Sequence, residues 1–281
     1  MRAGASSHQA AVHALALFTL CLALILGAGG TVDAKEKAGT SGVPSPLRVG
    51  IAPIYPPLAF KENGEIKGVE VDFANKLAQS FGVKLDLVEL PWDKLIPALN
   101  SGQIDVIMSG MSITPERSKL VNFTQPYLEV GQMAIIRKAD LDKLRNAEAM
   151  NTAGTRVGVL NNTTGERYAR RAMNNAQIVG FDTVDAAIVA LQNNQIDVFI
   201  NDAPTIWRIT ANLAKEHPDL MGRYQPLTTE DLAWAVNKKN PALLDRLNQT
   251  LITWKDSGEV DHVLDHWITI RKVSVELTPL Q

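Results

Sequence analysis

The chain is nearly free of cysteine, with Cys21 the only one in 281 residues. A single thiol forms no internal disulfide and no cysteine-ligated zinc site. Beyond the leader described below, histidine is limited to His217, His262 and His266. "HVLDH" has the i, i+4 spacing of a helical metal pair but lacks the glutamate of HExxH. These shortages exclude a cysteine nucleophile and leave no nucleophile–base pair and no metal site, so neither catalytic residues nor a cofactor is expected. Formal charge is −2 with pI ≈ 6.2. That balance offers no electrostatic case for nucleic acid or an anionic membrane surface.

One long apolar run is present, "ALALFTLCLALILGAGG" (Ala14–Gly30), behind Arg2. A charged start, an apolar stretch and small residues at Val32–Ala34 read as a secretory signal peptide over 1–34, cleaved before Lys35; an uncleaved anchor helix is the alternative. "KEKAGTSGVPSP" (35–46) reads as a disordered linker. The remainder, 46% apolar and 21% charged overall, has the balance of a globular protein of about two domains.

From Leu47 the pattern alternates. "LRVGIA" is a strand, Asn63-Gly64 marks a hairpin, and Val71, Ala74, Leu77 and Phe81 lie at helical spacing up to Gly82. "VKLDLVEL" is a strand, "WDKLIPALNSG" a short helix and "QIDVIMSG" a continuous apolar strand. After "QMAIIRK", a strand, and a charged helix near Asp140–Ala149, the pattern restarts with "TRVGVL", "TGERYARRAMNNA", "QIVGF", "TVDAAIVALQNN" and "QIDVFIN". Gln103–Val106 and Gln195–Val198 are both QIDV, offset by 195 − 103 = 92 residues. The chain therefore contains two similar α/β units with parallel sheets. "LAWAVNKK" adds a strand. Two closing helices, carrying Leu243, Leu247, Leu251, Val260, Val263 and Leu264, are expected to cover the first unit.

Ligands in open parallel sheets lie beyond the carboxyl ends of the strands. Charged residues follow both QIDV strands. In "SITPER", Thr114 is a natural N-cap and Pro115 an N1 residue, which puts Arg117 in a helix's first turn, against the dipole. An arriving anion would suit it; a surface pairing with Glu116 is the bland alternative. Asp202 ends the second strand, where an N-cap role is equally natural. Thr163 and Glu166 have capping-box spacing. Tyr55 and Trp92 sit at loop starts, where core packing is the default.

"GVEVDFANKLAQSFG", "SGMSITPERSKLVNFTQPY", "QIDVFINDAPT" and "LNQTLITWKDSGEVDHVLDHW" resemble the bacterial extracellular solute-binding protein family 3, the periplasmic amino-acid-binding proteins of ABC importers. The similarity covers Leu47 to Arg271 in family order. It implies an α/β, periplasmic binding protein-like fold of type II, with two lobes joined by two hinge strands. We expect lobe 1 at 47–135 plus 231–272, lobe 2 at 136–230 and a tail at 273–281, with hinges near Ile135–Ala139 and Leu227–Ala235. The resemblance implies that Arg117, Ser112 and the backbone at Gly110 hold a ligand carboxylate, with Thr164 adding a bond from the second lobe. Asp202 holds the ammonium, Tyr55 and Trp92 flank the side chain, and Leu160 lines the pocket.

Some members that bind basic or amide side chains have an Asp where this chain has Ala52. Apolar Ala52 and Leu160 tilt the expectation toward a neutral or apolar amino acid, with Asn201 as one polar contact; an opine would also fit. Glu129, Gln132 and Glu166 are further polar candidates for the pocket. The expected role is capture of an amino acid in the periplasm, as a monomer, for a membrane permease. Alternatives are a prephenate or arogenate dehydratase on the same fold, disfavoured by the missing acid–base pair, and a ligand-sensing module acting through a separate partner.

Overall fold

The computed structural model describes residues 42–268 except 217 and 224, without the side chains of 211–216. The expected leader with Cys21, residues 35–41 of the linker, His217 and the tail at 273–281 lie outside the described residues. Val43 is buried in the first core, so the chain joins the fold a few residues before the expected linker end at 46.

The first lobe begins with β1 (Leu47–Ile51), followed by a small antiparallel sheet of β2 (Ile54–Tyr55), β3 (Ala59–Glu62) and β4 (Glu65–Lys67). The β3–β4 turn has Asn63 and Gly64 at φ 52° and 82°, the left-handed pair a two-residue hairpin demands. Then come α1 (Val69–Phe81), β5 (Leu85–Glu89), α2 (Leu95–Ser101), β6 (Val106–Ile107), α3 (Pro115–Ser118), β7 (Asn122–Phe123) and β8 (Leu128–Val130). The second lobe holds β9 (Gln132–Arg137), α4 (Ala147–Met150), β10 (Arg156–Leu160), α5 (Thr164–Ala172), β11 (Gln177–Phe181), α6 (Val184–Gln192), β12 (Val198–Asp202), α7 (Ala203–Glu216) and β13 (Leu220–Arg223). The chain returns through β14 (Glu230–Leu232) and β15 (Ala235–Val236), then ends its described part with α8 (Pro241–Asp256) and α9 (Glu259–Trp267).

The two main sheets have matching orders, β5-β1-β6-β15-β7 and β11-β10-β12-β9-β13. Each has three parallel strands and an antiparallel addition. The repeated sequence builds the same junction in both. Arg48 N–H and Nε donate to Asp105 Oδ2 at 2.9 and 3.0 Å, and Nη2 donates to Oδ1 at 2.6 Å. Arg156 makes the same three bonds to Asp197 at 2.9, 3.0 and 2.8 Å. Bidentate guanidinium–carboxylate bonding fixes register as well as distance. Each QIDV aspartate thereby ties its strand to the first strand of its own lobe.

Several elements depart from the sequence pattern. "QIDVIMSG" forms ladder only at Val106 and Ile107, and the expected charged helix is a 3-10 turn at Lys138–Asp140 plus the four-residue α4. "LAWAVNKK" divides into β14 and β15. The crossing strands also move. β8 pairs antiparallel with β14, Leu128↔Leu232 to Val130↔Glu230, and this ribbon links the two main sheets. The second crossing falls within the expected Leu227–Ala235. The first precedes the expected Ile135–Ala139, because β9 pairs with β12 from Gln132↔Asp202 onward. The second sheet therefore begins at Gln132, not at 136. α8 and α9 bury Leu243, Leu247, Leu251, Val260 and Leu264 in the first lobe's core.

Candidate functional site

The carboxyl ends of β1, β6, β10 and β12 converge on one small cavity, partly open to solvent. It is lined by Ile54, Tyr55, Trp92, Gly110, Ser112, Arg117, Leu160, Thr163, Thr164, Asn201 and Asp202. All the expected site residues line it except Ala52. Ala52 is buried in the first lobe's second core cluster, with its N–H held by Ser109 Oγ at 2.9 Å. Its apolar character therefore does not describe the cavity wall.

Arg117 is 7% exposed. Thr114 caps α3 by accepting from the Arg117 N–H at 3.2 Å, which turns the side chain inward. Its Nη1 donates to the Ser112 carbonyl at 3.0 Å, and its guanidinium carbon lies 5.2 Å from the centre of the Trp92 ring. Among the described residues no carboxylate lies within 4.0 Å of it, Glu116 included. Burial, aided by the charge of Arg167, pushes its pKa down to about 10, so it remains a cation at neutral pH. A buried cation without an ion-pair partner is costly. The arrangement offers guanidinium donors to an incoming anion.

Asp202 ends β12, 8% exposed. Its Oδ1 accepts from Gln132 Nε2. Burial pushes its pKa up to about 6, with the charge of Glu230 adding to the rise and Arg117 opposing it. Tyr55 Oη is buried facing Asp202, and burial, then the charge of Asp202, hold its pKa well above the usual phenol value. Asn201 Oδ1 accepts from the Asp202 N–H at 2.7 Å, while its buried Nδ2 has no partner.

The second-lobe wall is a capped helix start. Thr163 Oγ1 accepts from the Glu166 N–H at 3.3 Å, and Glu166 accepts in return from the Asn162 N–H at 2.7 Å. The capping reading of "TTGE" is therefore real, and Thr163 and Thr164 also line the cavity. Across the cleft, Trp92 Nε1 donates to the Asn162 carbonyl at 3.1 Å and Thr205 Oγ1 donates to the Pro56 carbonyl at 3.0 Å. The lobes touch directly on both contacts.

Gln132 joins the site more deeply than its sequence position suggests. Its Nε2 faces Asp202, Glu230 Oε1 at 3.0 Å and Thr164 Oγ1 at 3.2 Å. Its one signal was a polar residue opening an otherwise apolar strand. Glu230 itself lines an adjoining groove that shares Thr164 with the cavity. Glu129 is exposed, and Glu166 is taken by its cap and by Arg170.

A cleft between two α/β lobes, with an arginine on one side and an aspartate on the other, defines a two-lobed solute-binding protein of the type II periplasmic-binding-protein fold. Residues 47–270 match the family model described as "Bacterial extracellular solute-binding proteins, family 3". The chain belongs to that family. It is 30% identical over 250 residues to a protein of Neisseria gonorrhoeae named "Probable histidine-binding protein", spanning 86% of this chain and 90% of that one. It is 30% identical over 229 residues to "ABC transporter arginine-binding protein 1" of Escherichia coli (strain K12), spanning 79% and 90%. The crystal structure of an ancestral amino-acid-binding protein, a precursor of cyclohexadienyl dehydratase, superposes with a TM-score of 0.71 at 35% identity, covering 79% of this chain and 94% of that one.

Proposed function

We propose that the chain captures a free amino acid with a basic or imidazole side chain and delivers it, as a monomer outside the cytoplasmic membrane, to the permease of an ABC importer. The carrying observation is the pair of buried, opposite charges: Arg117 without an ion-pair partner and Asp202 on the facing lobe. An α-amino acid presents a carboxylate and an ammonium on adjacent positions. Arg117, Ser112, Thr164 and the Gly110 backbone take the carboxylate, and Asp202 takes the ammonium. Tyr55, Trp92 and Leu160 flank the side chain, and Asn201 offers its unpartnered donor.

Charge alone is neutral on the side-chain class, with Arg117 and Arg167 standing against Asp202 and Glu230. The aromatic walls support it, since the rings of Tyr55 and Trp92 attract cations. The histidine- and arginine-binding relatives point the same way. This differs from the neutral or apolar ligand expected from Ala52 and Leu160, of which Leu160 lines the cavity and Ala52 does not. Closure follows because only the closed form makes both halves of the contact set.

The raised pKa of Asp202 also favours a second reading, since a carboxyl that titrates near 6 can donate a proton. The same assay series separates the two. Thermal-shift and calorimetric titration against the standard amino acids should select histidine, arginine or lysine over leucine and glutamine. Turnover of prephenate or arogenate, lost on removing Asp202, would overturn the transport reading.

A further inference from the structure

Glu70 is fully buried, more so than any other described carboxylate. Helical spacing puts it on the same face of α1 as Phe73, Ala74 and Leu77, which are also buried. No cation lies within 4.0 Å of it among the described residues. Instead it collects three donors. Oε1 accepts from the Gly110 N–H at 2.6 Å and from Tyr127 Oη at 2.7 Å, and Oε2 accepts from Trp234 Nε1 at 3.0 Å.

The three donors occupy special places in the chain. Gly110 lines the cavity, at φ +65°, where an added Cβ would press into the Tyr55 ring. Tyr127 immediately precedes β8, and Trp234 lies between β14 and β15. β8 and β14 are the two strands of the ribbon between the lobes. Phe73 packs against both rings, with centroids 5.5 Å from Tyr127 and 5.6 Å from Trp234, so neither donor is free to swing away. One carboxylate thus holds a wall of the cavity and the roots of both connecting strands.

We infer that Glu70 is a positioning residue for solute capture, coupling the Gly110 wall of the cavity to the β8–β14 ribbon so that filling the cavity favours lobe closure. The inference rests on the solute occupying this cavity, whichever amino acid it is. A hydrocarbon side chain would fill the same space without the expense of burying a carboxylate, but could not hold three separate N–H and O–H groups in register.

The protonation state of Glu70 gives a readout that packing alone would not. Burial pushes its pKa up to about 7, against the pull of its three donors. The titratable groups around it are Tyr127, whose pKa burial and Glu70 hold well above the usual phenol value, and, acting on Tyr127, Asp202. Asp72 on the same helix accepts from Trp267 Nε1. The Gly110 and Trp234 N–H groups can only donate. Protonation turns one acceptor oxygen into a donor, so at least one of the three links weakens.

The test is Glu70→Gln, which keeps the volume but leaves one acceptor oxygen. Dissociation constants are measured by calorimetry at about pH 8 and about pH 5.5, below the melting temperature of both proteins, with lobe closure followed by small-angle scattering. The variant should bind about tenfold more weakly at the higher pH, the effect of roughly one lost bond to a charged group. The ratio of variant to wild-type constants should approach one at the lower pH, where wild-type Glu70 is itself protonated. Ligand-saturated variant should keep a larger radius of gyration. A lower melting temperature with an unchanged constant at the higher pH, or a ratio that does not vary with pH, overturns the inference. If Glu70→Gln does not fold, Tyr127→Phe and Trp234→Phe each remove one ribbon-root bond and leave Gly110 held; unchanged affinity in both overturns it equally. Wild-type protein that binds no amino acid defeats the solute reading instead. The coupling is then read without ligand, from amide exchange at 127–131 and 230–234, and exchange unchanged in Glu70→Gln overturns it.

Discussion

The guanidinium carbon of Arg117 lies 5.2 Å from the centre of the Trp92 ring, and the indole N–H of that ring bonds to Asn162 in the other lobe. One aromatic side chain therefore supports the cation and helps join the lobes. Arg117→Ala should weaken amino-acid binding by more than about tenfold, since a buried charged hydrogen bond is lost. Arg117→Lys should recover only part of this, because an ammonium cannot make two parallel bonds to a carboxylate. Trp92→Phe keeps a ring face but not the N–H, and should fall between wild type and Trp92→Ala. Calorimetry reads all four; unchanged affinity in Arg117→Ala removes Arg117 from the site.

Asp202 carries competing readings that one pair of measurements separates. If it holds the ligand ammonium, Asp202→Ala should raise the dissociation constant by about tenfold or more. Removing a carboxyl that burial holds at about 6 should not lower the stability of the ligand-free protein by a comparable amount. The opposite result, a lower melting temperature with intact affinity, would leave Asp202 as a structural residue at the start of α7.

Stability and affinity should respond to pH in opposite directions. Asp202 and Glu70 titrate at about 6 and about 7, both above their unfolded values. The folded state then binds protons more tightly than the unfolded chain, so stability falls as pH rises from about 4 to about 7. Asp197, held down to about 2 by Arg156 and Arg137 despite its burial, acts the other way, but only below the ordinary carboxylate range. Ligand-free protein should thus melt at a higher temperature near pH 5.5 than near pH 8. Affinity should decline over the same interval, because a protonated Asp202 no longer attracts an ammonium. A melting temperature that falls on acidification within this window would contradict the account.

The repeated aspartates should matter for stability alone. Asp105→Asn and Asp197→Asn each weaken a bidentate junction by roughly 1–3 kcal/mol, or a few degrees for a chain of this size. Asp197→Asn should be the more severe, because Oδ1 also accepts from Arg137 Nη2 at 3.0 Å. Arg137 in turn holds the carbonyls of Leu191 and Ile196 at 2.7 Å. Scanning fluorimetry reads the melting shift, and affinity measured well below the transition should be unchanged. A large loss of affinity would give these residues a role in the cleft.

Much of the architecture was legible because it is local. Helical spacing in 69–81, alternation in the strands and the doubled QIDV unit are properties of short windows, and each marks its element in the sequence. The copies also differ in charge, with a cation after one and an anion after the other. Where the chain first crosses between lobes was not legible. β9 is apolar enough to belong to either sheet, and only its pairing with β12 decides. Ala52 shows the same limit from the other side: one residue beyond β1, its distance from the cavity wall depends on how Ser109 holds its backbone.

The sequence by itself determined two α/β lobes and set Arg117 and Asp202 after their two corresponding strands, which the family resemblance makes the proposed ends of a clamp. The tertiary structure alone decided which polar groups stand behind that clamp. Gln132 meets Glu230 across 98 positions, and Glu70 meets Trp234 across 164. No short-range periodicity encodes contacts of that separation. They exist because segments distant in the chain close the same buried space, and a polar group there must find its partner wherever the fold has placed one.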